Sequence, residues 1–164
     1  MLQKPQFHLF CIHDNGEKVC AEILALIENR DEWSQLVQSL GRSGHNVHVL
    51  EKYSDAVDVL KEVCDVDLII SDVHLQNGGD VFDFLRWVKL DSERAKTPFV
   101  LLSLEPTSMA KYLEDGIRIS ARMLGASMYI RQDKFDSDTL REQIEQLLPS
   151  KTDSVDSSST KSGE

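Results

Sequence analysis

Cysteine is scarce: only Cys11, Cys20 and Cys64 occur in 164 residues, and no two of them form a CxxC pair. An odd, widely spaced set argues against both a disulfide framework and a zinc site. The three read as small buried apolar residues in a reducing compartment. No apolar run reaches the ~18 uncharged residues of a spanning helix, and residues 1–10 show neither a long apolar stretch nor a small-residue cleavage site. The expectation is a cytoplasmic chain with no membrane partner. Basic charge is also in short supply, with 18 Lys and Arg against 28 Asp and Glu, a net −10. A surface of that sign repels phosphate backbones and anionic lipid, so nucleic acid is not expected as a partner.

The length suits one domain, expected over residues 1–149. Residues 150–164 are Ser, Thr, Asp and Lys with almost no apolar content, and a disordered tail is expected there because nothing offsets the entropy of ordering it. Within the domain, short apolar runs at 7–12, 47–50, 66–70 and 99–102, and a weaker one at 128–130, are rich in β-branched or aromatic residues and do not alternate. That is the pattern of strands covered on both faces in a parallel sheet.

Helical spacing fills the gaps. Val19, Ile23, Leu26, Ile27, Trp33, Leu36, Val37 and Leu40 predict helix over 17–40, with a polar patch at 28–32 that could split it. Ser54 is the expected N-cap of a helix over 55–63 and Asp80 that of one over 81–90. Pro106 and Thr107 open a helix over 108–124 closed by Gly125, and Asp136 or Ser137 caps the last, to Leu148. Trp33, Phe82, Phe84 and Trp87 read as core. Five alternations of strand and helix predict an α/β, doubly wound five-stranded parallel sheet of order 2-1-3-4-5 with helices on both faces.

In such sheets ligands bind beyond the carboxyl ends of the strands, where strand order reverses. The residues there are His13, Asp14 and Asn15 after the first run, Ser71 to His74 after the third, Ser103 after the fourth, and Tyr129 with Arg131 to Lys134 at the fifth. Asp14 and Asp72 are expected on neighbouring strands. Two close carboxylates repel unless a cation lies between them, and oxygen ligands suit Mg²⁺. Ser103 could donate to an oxyanion held at Asp72, a set fitted to phosphoryl transfer.

The run DLIISDVHL over 67–75, followed by Gly78, Gly79 and an amphipathic helix, resembles the phosphoacceptor segment of response-regulator receiver domains, the CheY-like superfamily. The likeness extends over 7–148 and implies the flavodoxin-like receiver fold. It implies Asp72 as phosphoacceptor, with Mg²⁺ held by Asp14, Asp72 and the His74 main-chain carbonyl and with His13 beside them. Ser103 matches the switch hydroxyl and Tyr129 the switch aromatic. A histidine kinase or phosphotransfer protein would be the phosphoryl donor. The output would be a downstream protein bound at the helix 4 and strand 5 face of a stand-alone, non-enzymatic signalling protein.

The departures are specific. His13 replaces the first of two adjacent acids, Gln132 the phosphoryl-binding lysine, Asp133 the following proline and Gln76 the proline after the acceptor. Without proline a cis bond costs about 2.5–4 kcal/mol, so a trans peptide is expected after Gln132. Lys134 is a candidate substitute for the missing lysine. The stretches 14–44 and 103–129 look longer than the family norm.

Blander readings stand beside these: Asp72 a polar strand end, Asp14 a turn residue, Ser103 a loop hydroxyl, Tyr129 a packing residue, Lys134 a solvated side chain. A transition-metal site at His13 and His74 lacks a third spaced ligand. The rival function is a pseudo-receiver, a phosphorylation-independent interaction module of the same fold. An FMN-binding electron carrier would need a hydroxyl- and glycine-rich phosphate loop after the first strand, where only His13, Asp14, Asn15 and Gly16 stand.

Overall fold

A computed structural model describes residues 21–28, 30–62, 65–74 and 79–148. The elements in chain order are β1 (Glu22–Leu26), α1 (Arg30–Arg42), β2 (Asn46–Leu50), α2 (Tyr53–Glu62), β3 (Leu68–Asp72), α3 (Val81–Leu90), β4 (Phe99–Leu104), α4 (Ser108–Met123), β5 (Met128–Gln132) and α5 (Ser137–Glu145). All strand pairs are parallel, in the order β2-β1-β3-β4-β5.

Successive strand residues point to opposite faces, so each strand feeds two cores. On one side Ile23, Ala25, Ile70, Val100 and Leu102 meet Leu36 and Leu40 of α1 and Leu140 and Ile144 of α5. On the other, Leu24, Leu26, Ile69, Phe99 and Leu101 meet Ala56 and Leu60 of α2, Phe84, Leu85 and Val88 of α3, and Ala121 of α4. Burial on both faces explains why these strands read as unbroken apolar runs. Phe84 anchors the second core through ring contacts with Tyr53 at 5.3 Å and Phe99 at 5.5 Å. Phe82, Trp33 and Trp87 are half-buried against the two cores.

The first strand is not where the sequence reading put it. Residues 7–12, with Cys11 and Cys20, lie outside the described residues, and the place beside β3 is taken by Glu22–Leu26. The segment 17–40 is therefore not one helix. Ile23 and Ile27 do stand at helical spacing with Leu26, but Leu24 and Ala25 between them are as fully buried as they are, as a strand with two covered faces requires. The apparent excess of length over 14–44 disappears with this shift, since α1 begins only at Arg30.

The helix ends follow capping chemistry in three of four cases. Asp80 accepts from the amides of Phe82 (2.7 Å) and Asp83 (3.3 Å), Thr107 from that of Ala110 (3.2 Å), and Asp136 from those of Asp138 and Thr139. Gly125, at φ 96°, provides the left-handed turn after α4. Ser54 is not a cap: α2 starts at Tyr53, and the Ser54 hydroxyl bonds to Asp55. The last helix ends at Glu145, short of Leu148, and Cys64 and Pro149 lie outside the described residues.

Candidate functional site

Asp72 is the last residue of β3, between the carboxyl ends of β1 and β4. Register places Asp72 opposite Leu102 and Ser103 opposite Arg131, so the Asp72 carboxyl and the Ser103 hydroxyl stand near the carboxyl ends of adjacent strands. Asp72 Oδ1 accepts the amide of His74 at 2.8 Å. The His74 ring then swings over to Ser103, with Nε2 3.4 Å from Oγ. Ser103 is buried, and its hydroxyl lies near enough to that of Tyr129 to favour the ionised form of the phenol. Asp72, His74, Ser103 and Tyr129 thus line up as a polar string across three strands.

Burial raises the Asp72 carboxyl above its ordinary value. The amide and the ring of His74 work against that rise, while the like charge of Glu28 adds to it. The Tyr129 hydroxyl is also raised, chiefly by burial.

Glu28 is the acid that the sequence reading missed. Leu26 pairs with Ser71, so the chain leaving β1 runs past Asp72 and sets Glu28 within electrostatic reach of it. His13 and Asp14 lie outside the described residues. The signal was present: an acid directly after the apolar run 23–27 has the same form as Asp14 after 7–12.

Gln132 does not face Asp72. It is buried at the end of β5, where Oε1 accepts the Asp136 amide at 2.9 Å and Nε2 donates to the Asp136 carbonyl at 3.2 Å, so it closes the loop into α5. All peptide bonds among the described residues are trans, that after Gln132 included. Asp133 is held by Lys111 (2.8 Å) and Arg131 (2.8 Å), which keep its carboxyl below the usual range. Arg131 reaches Glu114 of α4 as well. Lys134 is exposed and makes no hydrogen bond or ion pair to a described residue, and Gln76 lies outside the described residues.

The joint between β4 and α4 is unusual. Glu105 sits at φ 45°, in the left-handed region, where its amide donates to the Gln132 carbonyl at 2.8 Å. A cleft of about 240 Å³ opens under the far end of α4, bounded by Arg118, Ala121, Arg122, Met128 and Tyr129 among others.

As to a metal, no group of three or more His, Cys, Asp or Glu side chains converges as ligands among the described residues. What is present is a desolvated carboxylate, a second acid beside it and main-chain carbonyls. This all-oxygen donor set fits a hard cation that keeps most of its waters, as Mg²⁺ does. No described helix is long and apolar enough to cross a membrane.

This strand order, with five alternating helices, is the flavodoxin-like receiver fold of response regulators. The chain is similar to the chemotaxis response regulator CheY4 of Vibrio cholerae, at 22% identity over 79% of this chain and 99% of that one, with a TM-score of 0.65. It is similar to the signal receiver domain of a signal transduction histidine kinase from Syntrophus aciditrophicus, at 22% identity over 85% and 98%, TM-score 0.64. A putative response regulator from Chloroflexus aurantiacus matches at 18% identity over 77% and 96%, TM-score 0.64. No family model matches the sequence, and no curated protein does.

Proposed function

We propose that the chain is a cytoplasmic response-regulator receiver that takes a phosphoryl group on Asp72 from a histidine kinase or phosphotransfer protein and signals by binding another protein at its α4 and β5 face. The observation that carries this reading is the string from Asp72 through His74 and Ser103 to Tyr129. It joins an acceptor carboxyl to an aromatic on the strand beside α4.

In the transfer, a carboxylate oxygen of Asp72 attacks phosphorus. An acyl phosphate bond forms as the bond to the donor nitrogen or oxygen breaks, and the donor leaves with the electron pair. Ser103 lies where its hydroxyl can donate to the incoming phosphoryl oxygens. Glu28, Asp72 and a nearby main-chain carbonyl are the groups that would hold Mg²⁺, whose charge offsets that of the phosphoryl group. Movement of Ser103 toward the phosphoryl group would release Tyr129, which borders the 240 Å³ cleft and so has room to turn.

One observation favours the second reading, a pseudo-receiver that binds partners without phosphoryl chemistry. The Gln132 side chain is committed to the Asp136 backbone, and Lys134 is exposed without a partner among the described residues. Neither residue therefore places an amine against Asp72, nor does any other described residue. Incubation with acetyl phosphate and Mg²⁺, followed by intact-mass measurement, separates the two. An adduct on wild type and none on Asp72→Asn supports the receiver; no adduct on either supports the pseudo-receiver.

A further inference from the structure

α4 is amphipathic in the wrong sense for a helix that covers a sheet. Its inward side gives the core only Ala121, and beside it stands Glu114, whose carboxylate is occupied by Arg131 of β5. Its apolar side faces outward: Met109, Tyr112, Ile119 and Met123 are 68%, 85%, 59% and 82% exposed. An apolar stripe turned to water marks a surface that another body covers.

The spacing of that stripe says what kind of body. Residues 109, 112, 116, 119 and 123 alternate steps of three and four, the seam of a coiled coil. Gly116 is the middle member, and a Cβ added to it would meet nothing within 4 Å, so a second helix can approach closely there. Asp115 and Arg122 flank the same side of the seam, seven residues apart and opposite in charge. Laid antiparallel on a copy of itself, the seam sets Tyr112 against the partner's Met123 and Gly116 against the partner's Ile119. The same pairing brings Asp115 to the partner's Arg122, and symmetry makes that ion pair twice. A parallel arrangement would set Asp115 near Ser120 and satisfy neither charge. Arg122 has no ion pair to a described residue, and the Asp115 contact with Arg118 (2.6 Å) is a weak, solvent-exposed pair.

We propose that the outer face of α4 is covered by a second copy of this chain, α4 packing antiparallel on α4 about a two-fold axis. The association goes beyond the receiver reading and needs no phosphoryl group on Asp72. At 16 residues α4 is about 24 Å long, so the contact is small and a dimer of micromolar strength is expected.

Sedimentation equilibrium on the full, unphosphorylated chain tests this. A reversible monomer–dimer equilibrium is expected below millimolar concentration, abolished by Ile119→Asp. Asp115→Arg and Arg122→Asp should each weaken it about tenfold, and the double exchange should restore it, because the two charges trade places across the axis. All these sites are exposed, and far-ultraviolet circular dichroism checks that the variants fold. A monomer throughout the range, a dimer indifferent to Ile119→Asp, or a double exchange no better than the single ones overturns the proposal. In the monomer case another protein, or residues 1–20 of the same chain, would be left to cover the face.

Discussion

At the scale of single residues the site turns on the protonation of Asp72. Its carboxyl is raised, so the folded state binds a proton more readily than the unfolded chain. The stability it contributes is whole below the ordinary carboxylate value of about 3.9 and is lost as pH climbs through the raised value. Asp72→Asn removes the charge and keeps an oxygen for the His74 amide. In metal-free buffer the variant should melt higher than wild type at neutral pH, with the gain shrinking toward pH 4, as calorimetry across that range would show. Glu28 supplies part of the rise, so Glu28→Gln should lower the Asp72 titration midpoint in carbon-detected NMR and weaken the shift that Mg²⁺ induces there. The same measurement on Asp14→Asn decides between the two acids: an effect there and none for Glu28→Gln would give the metal-site role to Asp14.

Most elements were readable because their signals were redundant. β2, β4 and β5 were expected within two residues of their observed bounds at each end, and Asp80, Thr107 and Asp136 cap the helices they seemed to open. β1 was not, because an apolar run of five fits a buried strand and one face of a helix equally well. Leu24, Ala25 and Leu26 are good helix formers, whereas 7–12 has two phenylalanines and an isoleucine. That single displacement hid Glu28, while Asp72, Ser103 and Tyr129 hang on strands placed within two residues of their observed bounds. Gln132 was located but not understood, since what its amide holds depends on the path of the loop to Asp136. Between elements, Arg94 is the main polar tie. It donates to the Leu60 carbonyl at the end of α2, pairs with Asp91 at 2.7 Å and lies 5.9 Å from the centre of the Trp87 ring, nearly buried. Arg94→Ala should cost about 2–3 kcal/mol by urea titration with little change in slope, and Arg94→Lys should recover little, because an ammonium lacks the planar fork.

For the whole molecule, the two cores are separate layers that meet only through the sheet, so each should report on global stability. Phe84 is fully buried at the centre of one of them. Phe84→Ala should cost about 3–5 kcal/mol in chemical denaturation, a large share of a typical domain's stability. Tyr112→Ala, at an 85% exposed site, should stay within about 0.5 kcal/mol in the isolated monomer. Equal losses at the two positions would mean that α4 is packed the other way round.

Glu105 gives the molecule a spring at one joint. It stands between Ser103, near the end of β4, and Thr107, the N-cap of α4, and it is wound into a twist that L-residues leave at a gain of roughly 1–2 kcal/mol. A latch of one amide on the Gln132 carbonyl keeps it wound. Were that bond lost, Glu105 would be free to unwind, and the first turn of α4 is where the change in backbone direction would be taken up.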